Sequence, residues 1–216
     1  MKNQILSKVF GWMFLGLLVT FATGYFVAMN PNMIINLFSS TGLIITFILE
    51  IGLVIFLSAR ISKMSPTMAK LCFLLYSFVT GLTFSVYFIA FELTSLVLVF
   101  LVTAIVFAIF AFIGLTTKMD LSKMGTYLLM ALIGVIICTL VNFFLNSSSF
   151  DLFISIIGVL IFVGYTAYDV NKILAMSEFN AIPEDNLAIY GALQLYLDFI
   201  NLFIHLLNLF GRSNDN

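Results

Sequence analysis

Three carboxylates stand where an apolar chain can least tolerate them. Asp198 lies near the middle of the otherwise uncharged stretch 187–210, Glu50 near the middle of 42–59, and Asp169 directly after the uncharged run 152–168. An ionised Asp at the centre of a membrane helix costs about 2.5 to 3.5 kcal/mol on insertion scales, so such a residue faces a bundle interior or a water-filled cavity and marks a functional site by default. Asp198 carries more information than the other two. Gln194, Asp198, Asn201, His205 and Asn208 step by 4, 3, 4 and 3 residues, and residues three and four apart stack on one helix face. The residues between them are Leu, Tyr, Ile and Phe, so this stripe must turn away from lipid. Gln194, Asn201 and Asn208 read as hydrogen-bond links between helices. His205 and Asn208, near the segment's end, can also meet interfacial water. Asp198 reads as functional. For Asp169 the plain alternative is an i,i+3 ion pair with Lys172. For Glu50 it is a protonated carboxyl bonded to a neighbouring helix.

Two carboxyls brought together in a low dielectric cannot both ionise easily, so such a pair shares a proton and titrates as a unit. That is a proton-controlled element. Acidic oxygens also suit hard cations such as Ca²⁺, which makes Asp169 and Asp198 the candidate metal ligands. Spacing alone does not place these two side by side. Other chemistries lack their parts. His205 is the single histidine and cannot build a zinc site in a chain so poor in ligands. Cys72 and Cys138 lie inside apolar runs and read as small core residues. Nucleotide fingerprints are absent, and the stripe has no nucleophile–base–orienter set. No catalytic residue and no cofactor are therefore expected, and the chain does not read as an enzyme.

The elements that must position these residues follow from composition. Of 216 residues, 62% are hydrophobic and 9% charged, with 25 Phe, against roughly 25% charged in a soluble domain. Mean hydropathy is +1.19. Too little polar surface exists to cover a soluble globule, which excludes a soluble enzyme and a disordered chain. The net charge of −1 gives no basic field for nucleic acid. The partner implied is the lipid bilayer. A spanning helix needs about 20 apolar residues, and seven segments qualify, at about 9–29, 42–59, 69–91, 93–117, 124–146, 150–176 and 187–210. The reading is a single all-α transmembrane domain over 1–216. Pro31 ends segment 1, Pro66 suits the start of segment 3, Asp120-Leu-Ser122 can cap segment 5, and Asn146–Ser149 is the next turn. Segment 1 is too long for a signal-peptide core and reads as a retained helix.

Basic residues set the orientation. Lys2, Lys8, Arg60, Lys63, Lys70, Lys118, Lys123 and Lys172 all fall on one side of the seven segments, while the opposite connections hold Glu92 and Asp151. The N-terminus is therefore expected in the cytoplasm. Arg212 breaks the pattern if segment 7 crosses fully and obeys it if segment 7 is re-entrant. Length favours crossing; polarity leaves the re-entrant reading open.

At these residues the chain resembles the Bax inhibitor-1 (transmembrane Bax inhibitor motif) family in its compact bacterial form. The stretches are Gly158-x-x-x-Phe162-x-x-Tyr165-x-x-Tyr168-Asp169 and Leu195-Tyr-Leu-Asp198-Phe-Ile-Asn201-Leu-Phe203. Gly81-Leu-Thr83-Phe-Ser85 and Thr117-Lys-Met-Asp120-Leu-Ser122 are similar to further family patterns. The resemblance implies a seven-helix bundle with the C-terminal helix central, in a bacterial inner membrane. It implies a pH-sensitive passive Ca²⁺ leak gated by an aspartate pair, which falls on Asp169 and Asp198. It also implies a basic latch to the segment-6 aspartate, for which Arg60 is the nearest match, and an acidic position near the ion path, matched by Glu50. Ca²⁺ is then the transported ion. Some bacterial members are associated instead with control of a membrane-bound protease, so the alternative is an interaction protein that regulates other membrane proteins.

Overall fold

The computed structural model describes residues 2–117, 119, 121 and 123–213, without the side chains of Lys2, Asn3 and Ser40. Among them the chain forms eight helices: α1 (Lys2–Ala28), α2 (Pro31–Leu37), α3 (Ser40–Arg60), α4 (Pro66–Ala90), α5 (Leu93–Thr116), α6 (Met124–Leu145), α7 (Ser148–Glu178) and α8 (Glu184–Phe210), with a 3-10 turn at Ile61–Lys63. All but α2 are long and apolar enough to cross a membrane. The described residues contain no strand, only an isolated bridge between Phe91 and Ser213. This is an all-α polytopic membrane protein.

Helix ends are set by caps as well as by hydrophobicity. Pro66 occupies the first turn of α4, and Ser65 Oγ accepts from Met68 N–H at 3.3 Å. Asn146 closes α6 in the left-handed region, at φ 50°. Pro31 does more than stop α1: it opens the short helix α2, because a fixed φ near −65° suits a first helical position. Lys118, Asp120 and Ser122 lie outside the described residues, and with them the expected cap and part of one family pattern. Lys123 precedes α6 without a side-chain cap bond.

The chain divides into two compact units. The first comprises residues 1–93, 176–196 and 213–216. In it α1 packs on α4, with Phe21 edge-on to Phe84 at 5.1 Å. Phe73 of α4 meets Tyr196 of α8 edge-on at 5.7 Å, and both are fully buried. The start of α8 is tied to the turn before α4: Asn186 Nδ2 donates to the Met64 carbonyl at 2.9 Å and to that of Ile61. Lys8 pairs with Glu184 at 2.8 Å and Asp185 at 3.7 Å. At the far end of α4, Phe91 bridges Ser213. Helices α4 and α8 therefore run in the same direction. With 27 unbroken residues, or about 40 Å of helix, α8 is long enough for the crossing reading.

The second unit comprises residues 94–175 and 197–212. Phe199 of α8 packs between Phe100 and Phe107 of α5, at 5.2 and 5.5 Å. Val135 of α6 joins Ile154 and Ile161 of α7 in a small apolar cluster. The Arg212 backbone N–H donates to Ser95 Oγ at 2.9 Å. Over the most apolar stretch of each helix, 72% of α8 is buried inside the protein against 11% for α3 and for α6. The striped helix is the most buried of the seven.

Candidate functional site

In the second unit α7 and α8 are antiparallel, and their register is read from side-chain pairs. Asp169 meets Asp198. Moving back along α7 and forward along α8, His205 lies against Phe162, stacked at 5.7 Å and 26°, and against Gly158. Next, Asn208 Nδ2 reaches Ser155 Oγ at 3.5 Å. Asp198, His205 and Asn208 of the stripe predicted on α8 thus lie along the α7 seam.

The Asp169 and Asp198 carboxyls face each other across the seam within side-chain reach, and each residue is only 4% exposed. An ionised carboxylate can only accept, so a hydrogen bond between them requires that one of the two carry a proton. The second Asp198 oxygen, Oδ2, is buried without a hydrogen-bond partner. Lys172, one turn beyond Asp169, sits over the Tyr168 ring at 5.7 Å.

Small residues let α5 and α8 approach α7 closely. Gly114 of α5 lies against the Ala167 backbone of α7, where a Cβ would collide with main chain. Asn171 Nδ2 reaches the Gly114 carbonyl at 3.5 Å across the same contact. Gly158 leaves the space that the His205 imidazole fills.

The remaining predicted residues divide. Asn201 Nδ2 donates at 2.7 Å to the Leu197 carbonyl of its own helix, so it is not the interhelical link expected of it; Asn208 reaches across as expected. Gln194 is half-buried in the first unit. Glu50, also in the first unit, faces the hydroxyls of Thr80 and Thr83 on α4. Arg60 stands exposed in the last turn of α3. Among the described residues, no group of three or more His, Cys, Asp or Glu side chains could hold a metal ion. Sequence reading missed Thr20 and Tyr196, whose hydroxyls meet at 2.6 Å. A lone hydroxyl in an apolar run carries no periodic signal.

Seven long apolar helices and a buried carboxyl pair define a polytopic helical membrane protein with an intramembrane acidic site. The chain belongs to the Bax inhibitor-1 family: the family model described as "Inhibitor of apoptosis-promoting Bax1" matches residues 2–215. It is similar to the inner membrane protein YbhL of Escherichia coli K12, with 43% identity over 212 residues, 96% of this chain and 91% of YbhL. It is also 42% identical over 219 residues to a Borreliella burgdorferi protein, covering 99% of this chain and 94% of that one. A Deinococcus radiodurans relative is 36% identical over 215 residues, 99% of this chain and 92% of the relative.

Proposed function

We propose that the protein is a passive cation leak, with Ca²⁺ as the transported ion, gated by the proton count of the Asp169–Asp198 pair. The observation that supports this reading is the placement of two buried carboxyls face to face on adjoining helices. With one shared proton the pair holds together. Loss of that proton sets two carboxylates against each other; a second proton removes the charge and the need for a shared bond. Either change shifts a closed–open equilibrium. In the open state both carboxylates supply oxygen ligands of the kind Ca²⁺ takes. Arg60 acts as the basic latch and Glu50 as the acidic group near the ion path, as the family resemblance implies. No enzymatic step and no cofactor belong to this reading. The location proposed is a bacterial inner membrane, with the N-terminus cytoplasmic, as the basic residues indicate.

The test is Ca²⁺ influx into liposomes loaded with a Ca²⁺ dye, over a pH series spanning neutrality, with Asp198→Asn alongside. Influx that varies with pH in the native protein and not in the variant supports the reading. Folded protein that gives no influx above empty liposomes at any pH overturns it and leaves the family's regulatory role, binding to other membrane proteins, as the reading to pursue.

A further inference from the structure

The first turn of α8 is bonded to main chain 122 and 125 positions earlier. Asn186, the third residue of α8, is 1% exposed. Its side-chain Nδ2 donates to the Met64 carbonyl at 2.9 Å and to the Ile61 carbonyl. An amide nitrogen carries two N–H groups, so one residue serves both acceptors. Neither acceptor is arbitrary. Ile61 caps the C-terminal end of α3, and Met64 caps that of the 3-10 turn. Helices leave their last carbonyls without a partner of their own. Here a side chain from a distant helix caps both ends of one short turn.

That turn directly follows Arg60, which stands exposed in the last turn of α3. Ile61 is itself 2% exposed, so the main chain just after Arg60 is packed as well as bonded. A second tie exists at this end of α8, the ion pair of Lys8 with Glu184 at 2.8 Å, but it joins two exposed side chains, and exposed pairs hold little. The Asn186 bonds are the firmer of the two. Removing their donor leaves both carbonyls unserved, which costs more than a bond that water can replace.

We propose that Asn186 is a positioning residue: it fixes the Arg60 turn to α8, so that the turn moves with the helix that carries Asp198 twelve positions further on. Helix α8 is unbroken over 27 residues, and a rigid helix carries a shift along its length to its first turn. The functional half of the inference rests on the proposed leak, in which Arg60 is the latch: a latch tied to α8 engages or releases as α8 shifts. The tie itself stands without that reading.

Dipolar EPR on the full-length protein tests the tie. Nitroxides are placed at Ser62→Cys and Asp185→Cys, both exposed positions, on a background with Cys72 and Cys138 replaced. With Asn186 in place the labels should give one narrow distance, unchanged on either side of neutral pH. Asn186→Ala should broaden it several-fold, and so should Asn186→Asp, which keeps the shape but when ionised has no N–H to donate. A broad distribution with Asn186 present overturns the inference without any variant at this position having to fold. Folded variants as narrow as the native protein overturn it too. Ca²⁺ influx into liposomes tests the functional half. At the pH where native influx is lowest, both variants should leak several-fold faster. A native pH profile in variants whose turn has loosened overturns the positioning role. No influx from the native protein overturns the leak reading, and the functional half with it, while the label distances still decide the tie.

Discussion

Asp169 and Asp198, 29 positions apart in the chain, bring their buried carboxyls face to face across the α7–α8 seam. They meet because the helices are antiparallel and in a register that also seats His205 on Phe162.

Asp198→Asn keeps the contact and removes the titration. An amide N–H can donate to the remaining carboxylate, so stability should change by no more than about 1 kcal/mol. Under the proposed gating, the pH-dependent part of Ca²⁺ influx should vanish in Asp198→Asn and equally in Asp169→Asn. The double variant should add almost nothing to either single one, since the three remove the same shared proton. Dye influx in liposomes measures this; two additive losses would show that the carboxyls act separately.

Thr20 and Tyr196 should respond unequally to truncation. Tyr196→Phe removes one hydroxyl and leaves Thr20 bonded to Ser77, for a cost of about 1 kcal/mol or less. Thr20→Val leaves a fully buried Tyr196 hydroxyl without that partner, for about 1–3 kcal/mol. The order of melting temperatures in detergent should be native, Tyr196→Phe, Thr20→Val, and the double variant should be no worse than Thr20→Val. The reverse order would mean that Thr20 does not satisfy Tyr196.

Gly114→Ala and Gly158→Ala should separate by what the new methyl meets. At Gly114 it meets the Ala167 main chain, which cannot move aside without its helix; at Gly158 it meets the imidazole of His205, a side chain with rotamers to use. Overpacking costs about 1–3 kcal/mol, and Gly114→Ala belongs at the upper end. It should also disturb the pH response more, because Ala167 is two positions from Asp169. Equal melting losses would show that the α5–α7 contact yields as readily as a side chain.

Cysteine labelling checks the crossing of α8. Lys8 pairs with the start of α8, and Ser213 bridges the far end of α4. On a background with Cys72 and Cys138 replaced, Lys8→Cys and Ser213→Cys should react with a membrane-impermeant thiol reagent from opposite sides of oriented vesicles. Reaction of both from one side would refute the crossing, whichever face is cytoplasmic.

Much of this arrangement was legible in the sequence, for a definite reason. In lipid the cost of a misplaced carboxylate is high, so Asp198 had to be sheltered, and it is; its 4, 3, 4, 3 companions Gln194, Asn201, His205 and Asn208 are only half-buried, less so than Leu195, Tyr196, Leu202 and Phe203 between them. The pairing with Asp169 was not legible in the spacing and came only from the family resemblance. It depends on the α7–α8 register, which is fixed by side-chain fits such as His205 against Gly158 that no local pattern announces. Nor was α2, because a proline after a long apolar run reads as a stop even where it starts the next turn. Thr20 was hidden by its own versatility: a threonine can satisfy itself within its helix, so its presence in an apolar run says nothing about where its hydroxyl points.

The sheltered position of α8 has a consequence for how the protein is made. This helix follows the other six spans in chain order, so it leaves the ribosome after them. Its stripe of one carboxylate, three amides and an imidazole makes it the least willing of the seven to dissolve in bare lipid. Its entry into the membrane should therefore depend on helices already inserted to offer Ser155, Phe162 and Asp169 as partners. A truncated chain lacking α7 should stall with its final segment outside the bilayer, where quality-control proteases can reach it.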